Sequence, residues 1–339
     1  MKQFAKVALG TVAALSLAVS VQARDTIQIA GSSTVLPFSS IAAEEFGASF
    51  AQFNTPVVGS GGSGGGLRQF CQGVGTNTID IANSSRAIRS AELENCRANG
   101  VEEIIEVRIG YDGIVFASRI DAGDFALEPV HVFLAQAAQV PVNGQMVANP
   151  YTNWSQIDAS LPSQEIILAI PGSNHGTREV YEENVVLAGC KTLAEVQALP
   201  SADQNNFCLD MRTDGRIVEI AGDYTETLAR LQAQRDAIGV FGLSFYESNR
   251  DRIKVATVSG VEPTIDNILD GIYPVSRPLY FYVKGAHVGV IPGLLEFAEF
   301  FISEGNAGFG SPLEAAGLIP LSDAEREEIT ANIRAQKSL

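Results

Sequence analysis

The stretch from residue 26 to residue 50, TIQIAGSSTVLPFSSIAAEEFGASF, indicates the fold class because its predicted secondary structure changes twice along its length. Residues 26–30 predict a short strand, and residues 37–50 carry apolar side chains at the spacing of an amphipathic helix. Between them, Gly31-Ser32-Ser33-Thr34 forms a turn of small residues rich in hydroxyl groups. A strand followed by a tight turn and a helix is typical of the βαβ unit, which joins neighbouring parallel strands.

Outward from this stretch, strands and helices continue to alternate. Further strands are predicted at residues 56–58, 79–82, 103–108, 113–118, 165–170, 239–242 and 279–283. Further helices are predicted at residues 64–74, 90–98, 177–187, 224–237, 292–303 and 324–335. This order predicts an α/β protein whose sheets are mostly parallel and flanked by helices. The 339 residues, of which 46% are hydrophobic and 18% charged, are enough for about two globular domains.

The amino-terminal segment predicts export. Lys2 and Lys6 precede an apolar run at residues 7–21, and small residues at positions 21 and 23 suit cleavage after Ala23. We therefore interpret residues 1–23 as a secretory signal peptide. No Cys follows the cleavage point and no later window offers about 18 uninterrupted apolar residues, so the exported chain is expected to carry no membrane anchor.

The four cysteines all follow the predicted cleavage site, and they allow three disulfide pairings. Pairing Cys71 with Cys96 and Cys190 with Cys208 is favoured because each bond then closes a local loop. Four reduced, buried thiols are the alternative. A zinc site is disfavoured, since the chain has only three His and none stands at ligand spacing from these cysteines.

The net charge of the chain disfavours some classes of binding partner. It carries 23 Lys and Arg against 39 Asp and Glu, a formal net charge of −16. Such a field repels nucleic acid and anionic lipid, so neither is expected as a partner. A small anion is not excluded, because hydrogen-bond donors can surround it without a cluster of cations.

Two more turns of small residues lie where a predicted strand gives way to a helix. Residues 59–66 read GSGGSGGG after the strand at 56–58, and residues 172–177 read GSNHGT after the strand at 165–170. A helix amino terminus leaves backbone N–H groups without helical partners and carries partial positive charge. Glycine lets an anion approach this backbone, and Ser and Thr add O–H donors. Three such turns in one chain predict a binding site for a tetrahedral oxyanion.

The glycine-rich turn at residues 59–66 also allows two enzyme interpretations. A P-loop requires a Lys and a hydroxyl residue after the glycines, but residues 67–69 read LRQ, which argues against nucleotide hydrolysis. Residues 61–65, GGSGG, match the G-x-S-x-G pattern of a serine hydrolase with Ser63 as nucleophile. A secreted serine hydrolase or phosphatase is therefore the alternative function. It needs a histidine partner for Ser63, and the candidates are His131, His175 and His287.

Six motifs follow one another in a specific order and spacing. They are AGSSTVLP at residues 30–37, GSGGSGGG at 59–66, DIANSSR at 80–86, GYDG at 110–113, HGTR at 175–178 and YPVSRPLY at 273–280. Together they resemble the periplasmic phosphate-binding proteins that serve phosphate ABC transporters, which are type II periplasmic binding proteins. The resemblance covers nearly the whole chain after the predicted signal peptide.

The resemblance implies a two-lobed α/β fold that holds its ligand in the cleft between the lobes. Lobe 1 is expected to combine residues 24–109 with residues 276–339, and lobe 2 to hold residues 110–275. The resemblance further implies a monomeric periplasmic protein that is not an enzyme and needs no cofactor. Such a protein captures inorganic phosphate, closes its lobes on it and delivers it to the permease subunits of an ABC transporter in the inner membrane. A relative that has kept the fold and lost the ligand is the remaining interpretation.

Carried over residue by residue, the resemblance points to several phosphate contacts. These are Thr34 with the neighbouring backbone of Ser33 and Val35, Ser63 with its N–H group, Ser85, and Gly176 with Thr177. Three positions depart from the pattern of some relatives. Ser85 stands in place of an aspartate that accepts the proton of phosphate, and Pro171 stands in place of an arginine. His175 stands in place of a serine, and its ring is a candidate donor.

We therefore expect other residues to supply the missing groups. Asp112 is the candidate proton acceptor, and Arg86 or Arg178 is the candidate cation. For each of these residues, a purely structural role is the alternative to an anion contact. Asp112 can shape the turn of the GYDG motif, and Arg178 can pair with Glu182 four residues on. The acceptor decides specificity, because phosphate keeps a proton near neutral pH and sulfate carries none. Without such an acid, molybdate, sulfate and phosphonate become competing ligands.

Overall fold

The structure is a computed structural model that describes residues 24–173, 176–221 and 224–339. The predicted signal peptide and His175 lie outside these ranges. The strands in the described part are β1 Gln28–Gly31, β2 Val57–Ser60, β3 Ile81–Ser84, β4 Ile104–Arg119, β5 Ala126–Leu127, β6 Gln139–Val142, β7 Gln145–Ala148, β8 Ile167–Pro171, β9 Ile217–Ile220, β10 Ala237–Gly242, β11 Ile253–Val255, β12 Thr257–Val258 and β13 Ser276–Lys284.

The helices alternate with these strands. They are α1 Leu36–Ser49, α2 Ser63–Phe70, α3 Ser90–Ala98, α4 Pro129–Gln136, α5 Trp154–Ile157, α6 Gly176–Val180, α7 Ala188–Cys190, α8 Ala194–Gln197, α9 Ser201–Leu209, α10 Tyr224–Ala233, α11 Leu243–Glu247, α12 Ile265–Leu269, α13 Leu294–Phe301, α14 Glu304–Ala307, α15 Pro312–Ala315 and α16 Asp323–Arg334. A π-helical segment, Tyr181–Leu187, joins α6 to α7, and a short 3-10 helix, Gly285–His287, follows β13.

Two sets of three parallel strands form the two halves of the main sheet. In the first half β1 lies between β2 and β3, and in the second half β8 lies between β9 and β10. The helices α1 and α2 connect the strands of the first half, which is the predicted βαβ arrangement. Since parallel strands place their carboxyl ends at one edge of a sheet, the turns that follow β1, β2 and β3 meet there.

The long strands β4 and β13 join the two halves. β13 runs antiparallel between β3 and the first part of β4, which faces it from residue 104 to residue 113. The second part of β4 pairs instead with β10 and β11, from residue 114 to residue 119. β4 therefore passes from one half of the sheet to the other near Asp112 and Gly113.

Each half has its own hydrophobic core. In the first half, α1 and α13 pack against the sheet through the fully buried rings of Phe46 and Phe297. In the second half, the buried rings of Trp154 and Tyr181 belong to the core around β4, β8 and β10. The buried residues of the first half come from residues 27–109 and 279–333. Those of the second half come from residues 111–275, joined by two residues of the loop before α16.

The α/β fold class predicted from the sequence is confirmed, and each predicted strand and helix has a counterpart in the described residues. One correction concerns the extended segments predicted at residues 103–108 and 113–118, which form the single strand β4. The two segments are continuous because β13 and β10 supply hydrogen-bonding partners one after the other along the same strand. A second correction concerns the helix predicted at residues 177–187, which changes from α to π geometry at Tyr181.

Both disulfides have the pairing that local loop closure favoured. Cys71 is bonded to Cys96 and Cys190 to Cys208. The first bond ties the end of α2 to α3, and the second ties α7 to α9. None of the helices in the described part of the chain combines the length and the apolar character that a membrane span requires.

Candidate functional site

Asp112 and Arg277 lie directly opposite each other where β4 and β13 pass between the two halves. Directly opposed side chains stand on the same face of an antiparallel pair. Both residues are buried, with 9% and 7% of their surface exposed. Among the described residues, Asp112 Oδ2 and Arg277 Nε have no hydrogen-bond partner. Buried polar atoms without partners cost free energy, so this pair has bonding capacity that a ligand can satisfy.

Burial also changes the acid strength of Asp112. It raises the pKa of this carboxyl above its ordinary value, the Arg277 guanidinium opposes the shift, and the Glu179 carboxylate adds to it. The carboxylate of Asp112 is therefore a stronger proton acceptor than that of an exposed aspartate. This is the property expected of an acceptor that distinguishes a protonated oxyanion from an unprotonated one.

The turn after β1 brings Thr34 to the same place. Arg277 Nη2 donates to Thr34 Oγ1 at 2.8 Å, and the Thr34 N–H donates to Ser32 Oγ at 3.2 Å. Thr34 is buried and stands two residues before α1 begins at Leu36. A guanidinium beside the amino terminus of a helix places two sources of positive potential next to each other.

Two glutamates from the second half approach Arg277 across the cleft. Glu183 Oε2 accepts from Arg277 Nη1 at 3.2 Å, and Glu179 Oε2 lies 3.6 Å from Arg277 Nη2. Glu179 Oε2 also accepts from Thr34 Oγ1 at 3.4 Å. These glutamates lie on α6 and the π segment, whose apolar side belongs to the core of the second half. The cluster of Thr34, Arg277, Asp112 and the two glutamates therefore spans both halves of the molecule.

Thr177, the second residue of α6, lies at the start of this helical segment. It is buried, and its Oγ1 lies 2.5 Å from Tyr224 Oη at the start of α10. Burial raises the pKa of Tyr224, so the phenol keeps its proton near neutral pH. Two neutral O–H groups therefore stand side by side on the wall of the second half.

A further pair of hydroxyl groups lies at the ends of β2 and β3. Ser63 and Ser85 are buried, their Oγ atoms are 3.0 Å apart, and the Ser85 N–H donates to Ser63 Oγ at 3.1 Å. The helix α2 reaches the end of β1 because Gly66 has no side chain: a Cβ there would lie 2.4 Å from Gly31 Cα. The parallel strands thus bring Thr34, Ser63 and Ser85 to one edge of the sheet.

Arg86, one of the two predicted cations, is engaged by Glu92. Its Nη1 and Nη2 donate to the two carboxylate oxygens of Glu92 at 2.8 and 2.7 Å. This hydrogen bond is the main cause that raises the pKa of Arg86 and lowers the pKa of Glu92. Glu92 also accepts from the Arg89 N–H, so the pair fixes the loop between β3 and α3. Contact between Arg86 and an anion stays a prediction.

Arg178, the other predicted cation, is held within its own half. Its Nε donates to Glu182 Oε1 at 2.6 Å, and its Nη1 donates to Glu219 Oε1 and to the Pro171 carbonyl oxygen, both at 2.9 Å. The pairing with Glu182, which was the structural alternative for Arg178, is present. Contact between Arg178 and an anion stays a prediction, and its three oxygen partners favour the structural role.

Ser63 has no catalytic partner among the described residues. Its hydroxyl contacts Ser85, while His131 bonds to the backbone ahead of α4 and His287 is buried against Asp80. His175 lies outside the described residues, so its predicted role is untested. In the ranges that the structure describes, no group of His, Cys, Asp and Glu side chains is arranged to hold a metal ion.

A cleft of about 710 Å³ opens beside Thr34, Asp112, Thr177 and Tyr224. Its first wall comes from the start of α1 and from residues 310–320, and its second wall comes from residues 242–248 at the end of β10. The cleft therefore lies between the two halves, and two members of the cluster around Arg277, Thr34 and Asp112, line it.

The sequence did not single out Arg277, Glu179 or Tyr224. Arg277 carried a usable signal: it lies in the YPVSRPLY motif, beside the largely apolar residues 278–283 of the same strand. An arginine is rarely buried in a strand unless it has a specific partner or ligand. Glu179 and Tyr224 carried no such signal, because each stands at a helix start where polar residues are ordinary.

Two halves of an α/β sheet, two crossing strands and a polar cleft between them define a two-lobed ligand-binding protein. Residues 18–305 match the PBP superfamily domain. The chain is 30% identical over 314 residues to protein SphX of Synechococcus elongatus, covering 91% of this chain and 81% of SphX. It is 28% identical over 306 residues to the phosphate-binding protein PstS of Staphylococcus saprophyticus, covering 88% of this chain and 81% of PstS.

Solved structures share the fold. A possible phosphate binding protein from Planctomyces limnophilus superimposes with a TM-score of 0.72 at 23% identity, covering 92% of this chain and 99% of that one. A putative phosphate ABC transporter substrate-binding protein from Clostridium perfringens, solved with bound phosphate, has a TM-score of 0.52 at 21% identity and covers 88% and 100%. This chain belongs to the PBP superfamily, and the resemblance drawn from its sequence motifs is confirmed.

Proposed function

We propose that this chain is an exported substrate-binding protein that captures inorganic phosphate in the cleft and delivers it to an ABC permease. The observation that carries the proposal is the buried Arg277, which donates to Thr34 and stands opposite the unpartnered Oδ2 of Asp112. A cation, a hydroxyl group and a proton acceptor at one point match a protonated tetrahedral oxyanion. The relatives PstS and the Clostridium protein, named for phosphate, support the same ligand.

Hydrogen-bond donors on both lobes complete the proposed site. On lobe 1 they are the Thr34 hydroxyl with the backbone of Ser33 and Val35, and the hydroxyl groups of Ser63 and Ser85. On lobe 2 they are the start of α6 at Gly176 and the Thr177 hydroxyl beside Tyr224. Donors on both sides of the anion favour closure of the lobes when the anion binds.

The charges of the proposed site differ from the sequence expectation in one respect. Asp112 remains the proposed proton acceptor. Arg277 takes the place of Arg86 and Arg178 as the proposed cation, because those two guanidinium groups are bonded to glutamates outside the cluster. Arg277 supplies from the crossing strand the positive charge that some relatives carry at the position of Pro171.

The proposed lobes keep the predicted boundaries, residues 24–109 with 276–339 for lobe 1 and residues 110–275 for lobe 2. The separate hydrophobic cores support this division. Periplasmic location, cleavage after Ala23, a monomeric state and delivery to permease subunits of the inner membrane are part of the same proposal. Cleavage after Ala23 rests on the pattern of residues 1–23, and the other points rest on the resemblance that the motifs carry.

Calorimetric titration tests the proposal. The chain from residue 24, stripped of bound phosphate, is titrated with phosphate and then with phosphate in a hundredfold excess of sulfate. We expect one site with a Kd on the order of 1 μM or tighter, and no competition by sulfate. Absence of binding heat, after an assay has excluded residual phosphate, would contradict phosphate capture. Equal competition by sulfate would contradict the selectivity.

A further inference from the structure

Acidic groups outnumber basic groups around Arg277. Three carboxyl groups, those of Asp112, Glu179 and Glu183, face this one guanidinium. An oxyanion that enters such a cluster adds negative charge to a region that already carries more acid than base. Repulsion is strongest beside the buried Asp112, and it is weaker beside Glu179 and Glu183, whose side chains are 28% and 48% exposed.

Glu179 is the glutamate that approaches both Thr34 and Arg277. Its Oε2 lies 3.4 Å from Thr34 Oγ1 and 3.6 Å from Arg277 Nη2, two of the groups proposed to hold the anion. Arg277 can only donate, so a carboxylate that shares its Nη2 with an anion must lie beside that anion. A like charge beside an oxyanion disfavours its ionised form, so a proton shared between the two groups stabilises them side by side.

Phosphate can supply that proton. Near neutral pH it exists in a doubly charged form with one proton and a singly charged form with two. One acceptor, Asp112, suits the doubly charged form. Two acceptors on different sides of the anion suit the singly charged form.

We propose that Glu179 accepts a second proton of the bound anion, so that the cleft takes phosphate in its singly charged, dihydrogen form. This inference rests on the proposed function and deepens it, because it assigns the protonation state of the ligand. Binding above neutral pH is then coupled to uptake of a proton, whereas sulfate and other fully ionised oxyanions meet two carboxylates without a proton to share.

The other titratable and charged groups around Glu179 are accounted for. Arg277 on β13 and Asp112 on β4 belong to the site. On its own helical segment, Glu183 pairs with Arg277, and Arg178 is bonded to Glu182 and Glu219. Two further groups stand on neighbouring elements, the Arg86–Glu92 pair after β3 and the protonated phenol of Tyr224 on α10. His175 precedes α6 in the sequence, and the variant His175→Asn tests its contribution to the proton uptake.

The test is phosphate titration of the chain from residue 24 by calorimetry at pH 8, in Tris and in HEPES, whose ionisation enthalpies differ. The difference between the two heats gives the number of protons taken up. Most free phosphate is doubly charged at pH 8, so we expect uptake of about one proton per phosphate bound. Between pH 8 and pH 9 the apparent Kd for total phosphate should rise about tenfold, as the singly charged fraction falls.

Three variants locate the acceptor. In Glu179→Gln the amide can donate to the doubly charged form, so uptake should fall to about zero and the Kd should change less than twofold between pH 8 and pH 9. Glu182→Gln, one helical turn away and facing Arg178, is the matched control and should keep the uptake of the natural chain. His175→Asn removes a candidate phosphate donor and is expected to change the Kd, but it should also keep the uptake.

Phosphate binding without proton uptake in the natural chain would overturn the inference. Unchanged proton uptake in Glu179→Gln would also overturn it. If the Kd of this variant rose by the same factor at every pH while the uptake stayed the same, Glu179 would act only as a counter-ion of Arg277. If His175→Asn lost the proton uptake and Glu179→Gln retained it, the uptake would depend on His175 and not on Glu179, and the inference would be wrong. Failure of the proposed function is distinguishable, because phosphate would then not bind at either pH.

Discussion

The guanidinium of Arg277 donates from Nη2 to Thr34 Oγ1 across 2.8 Å, joining residues 243 positions apart in the sequence. The bond links the strand that returns from the second half of the sheet to the turn that precedes α1. A hydroxyl group that accepts from a guanidinium still has its own hydrogen to donate, and that hydrogen points toward acceptors such as Glu179. Positive charge and an O–H donor therefore meet at the crossing of the two lobes.

Replacing Arg277 tests whether its guanidinium is the cation that binds the anion. We expect Arg277→Met to weaken phosphate and sulfate binding together by about 10- to 100-fold, because a charge-assisted hydrogen bond contributes roughly 1.5–3 kcal/mol. Calorimetric Kd values for both anions measure the change. Arg212→Met is the matched control, since Arg212 is equally buried and pairs with Asp214 in the second half. A control that loses as much affinity as Arg277→Met would show that the effect is one of folding.

Asp112 is proposed to separate phosphate from sulfate. Asp112→Asn keeps the shape of the side chain, but its amide can donate to a fully ionised oxyanion. We expect weaker phosphate binding and a phosphate-to-sulfate affinity ratio about 10- to 100-fold smaller, from a loss of roughly 1–3 kcal/mol at a buried acceptor. Competition titrations give the ratio. An unchanged ratio would remove Asp112 from the role of acceptor.

Ser63 distinguishes binding from catalysis. In the binding account, Ser63→Ala removes one neutral hydrogen bond, so phosphate affinity should fall about fivefold, or roughly 1 kcal/mol. Ser201→Ala, at an exposed helix start, is the control and should leave the Kd unchanged. Neither the natural chain nor any variant should hydrolyse a phosphate ester such as p-nitrophenyl phosphate. Turnover that Ser63→Ala abolishes would favour the serine hydrolase alternative.

Lys284 gives a prediction for stability. Its Nζ donates to the Gly73 carbonyl oxygen and to Thr78 Oγ1, and burial lowers its pKa to about 8 from an ordinary 10.5. The folded chain therefore binds this proton more weakly than the unfolded chain. The unfavourable contribution is fully present below pH 8 and disappears as the pH rises toward 10.5.

Relative to Lys284→Met, the free energy of unfolding of the natural chain should therefore rise between pH 8 and pH 10.5, by up to about 3 kcal/mol. Urea denaturation of both proteins at pH 7.5, 8.5 and 9.5 measures the difference. A difference that stays constant over this range, or that falls, would contradict the lowered pKa of Lys284.

The sequence predicts the strands, helices and disulfides well because their signals are local. The turn after β1, the glycine-rich start of α2 and the loop lengths between cysteines are all visible within a few residues. The cluster around Arg277 is different, because it combines residues of β4, β13, α6 and the turn after β1. Arg178 illustrates the limit: its position beside Thr177 suggested an anion contact, but Glu219, on a strand 41 residues away, is one of its partners.

We expect the anion to bind where Arg277, Thr34 and Asp112 meet, and a crystal structure of the phosphate complex shows its position. Phosphate oxygens should lie within about 3 Å of Arg277, Thr34 and Asp112, with Thr177 contacting the anion from the other lobe. Phosphate bound to Arg86 or Arg178 instead, or in the cleft away from Asp112, would contradict it.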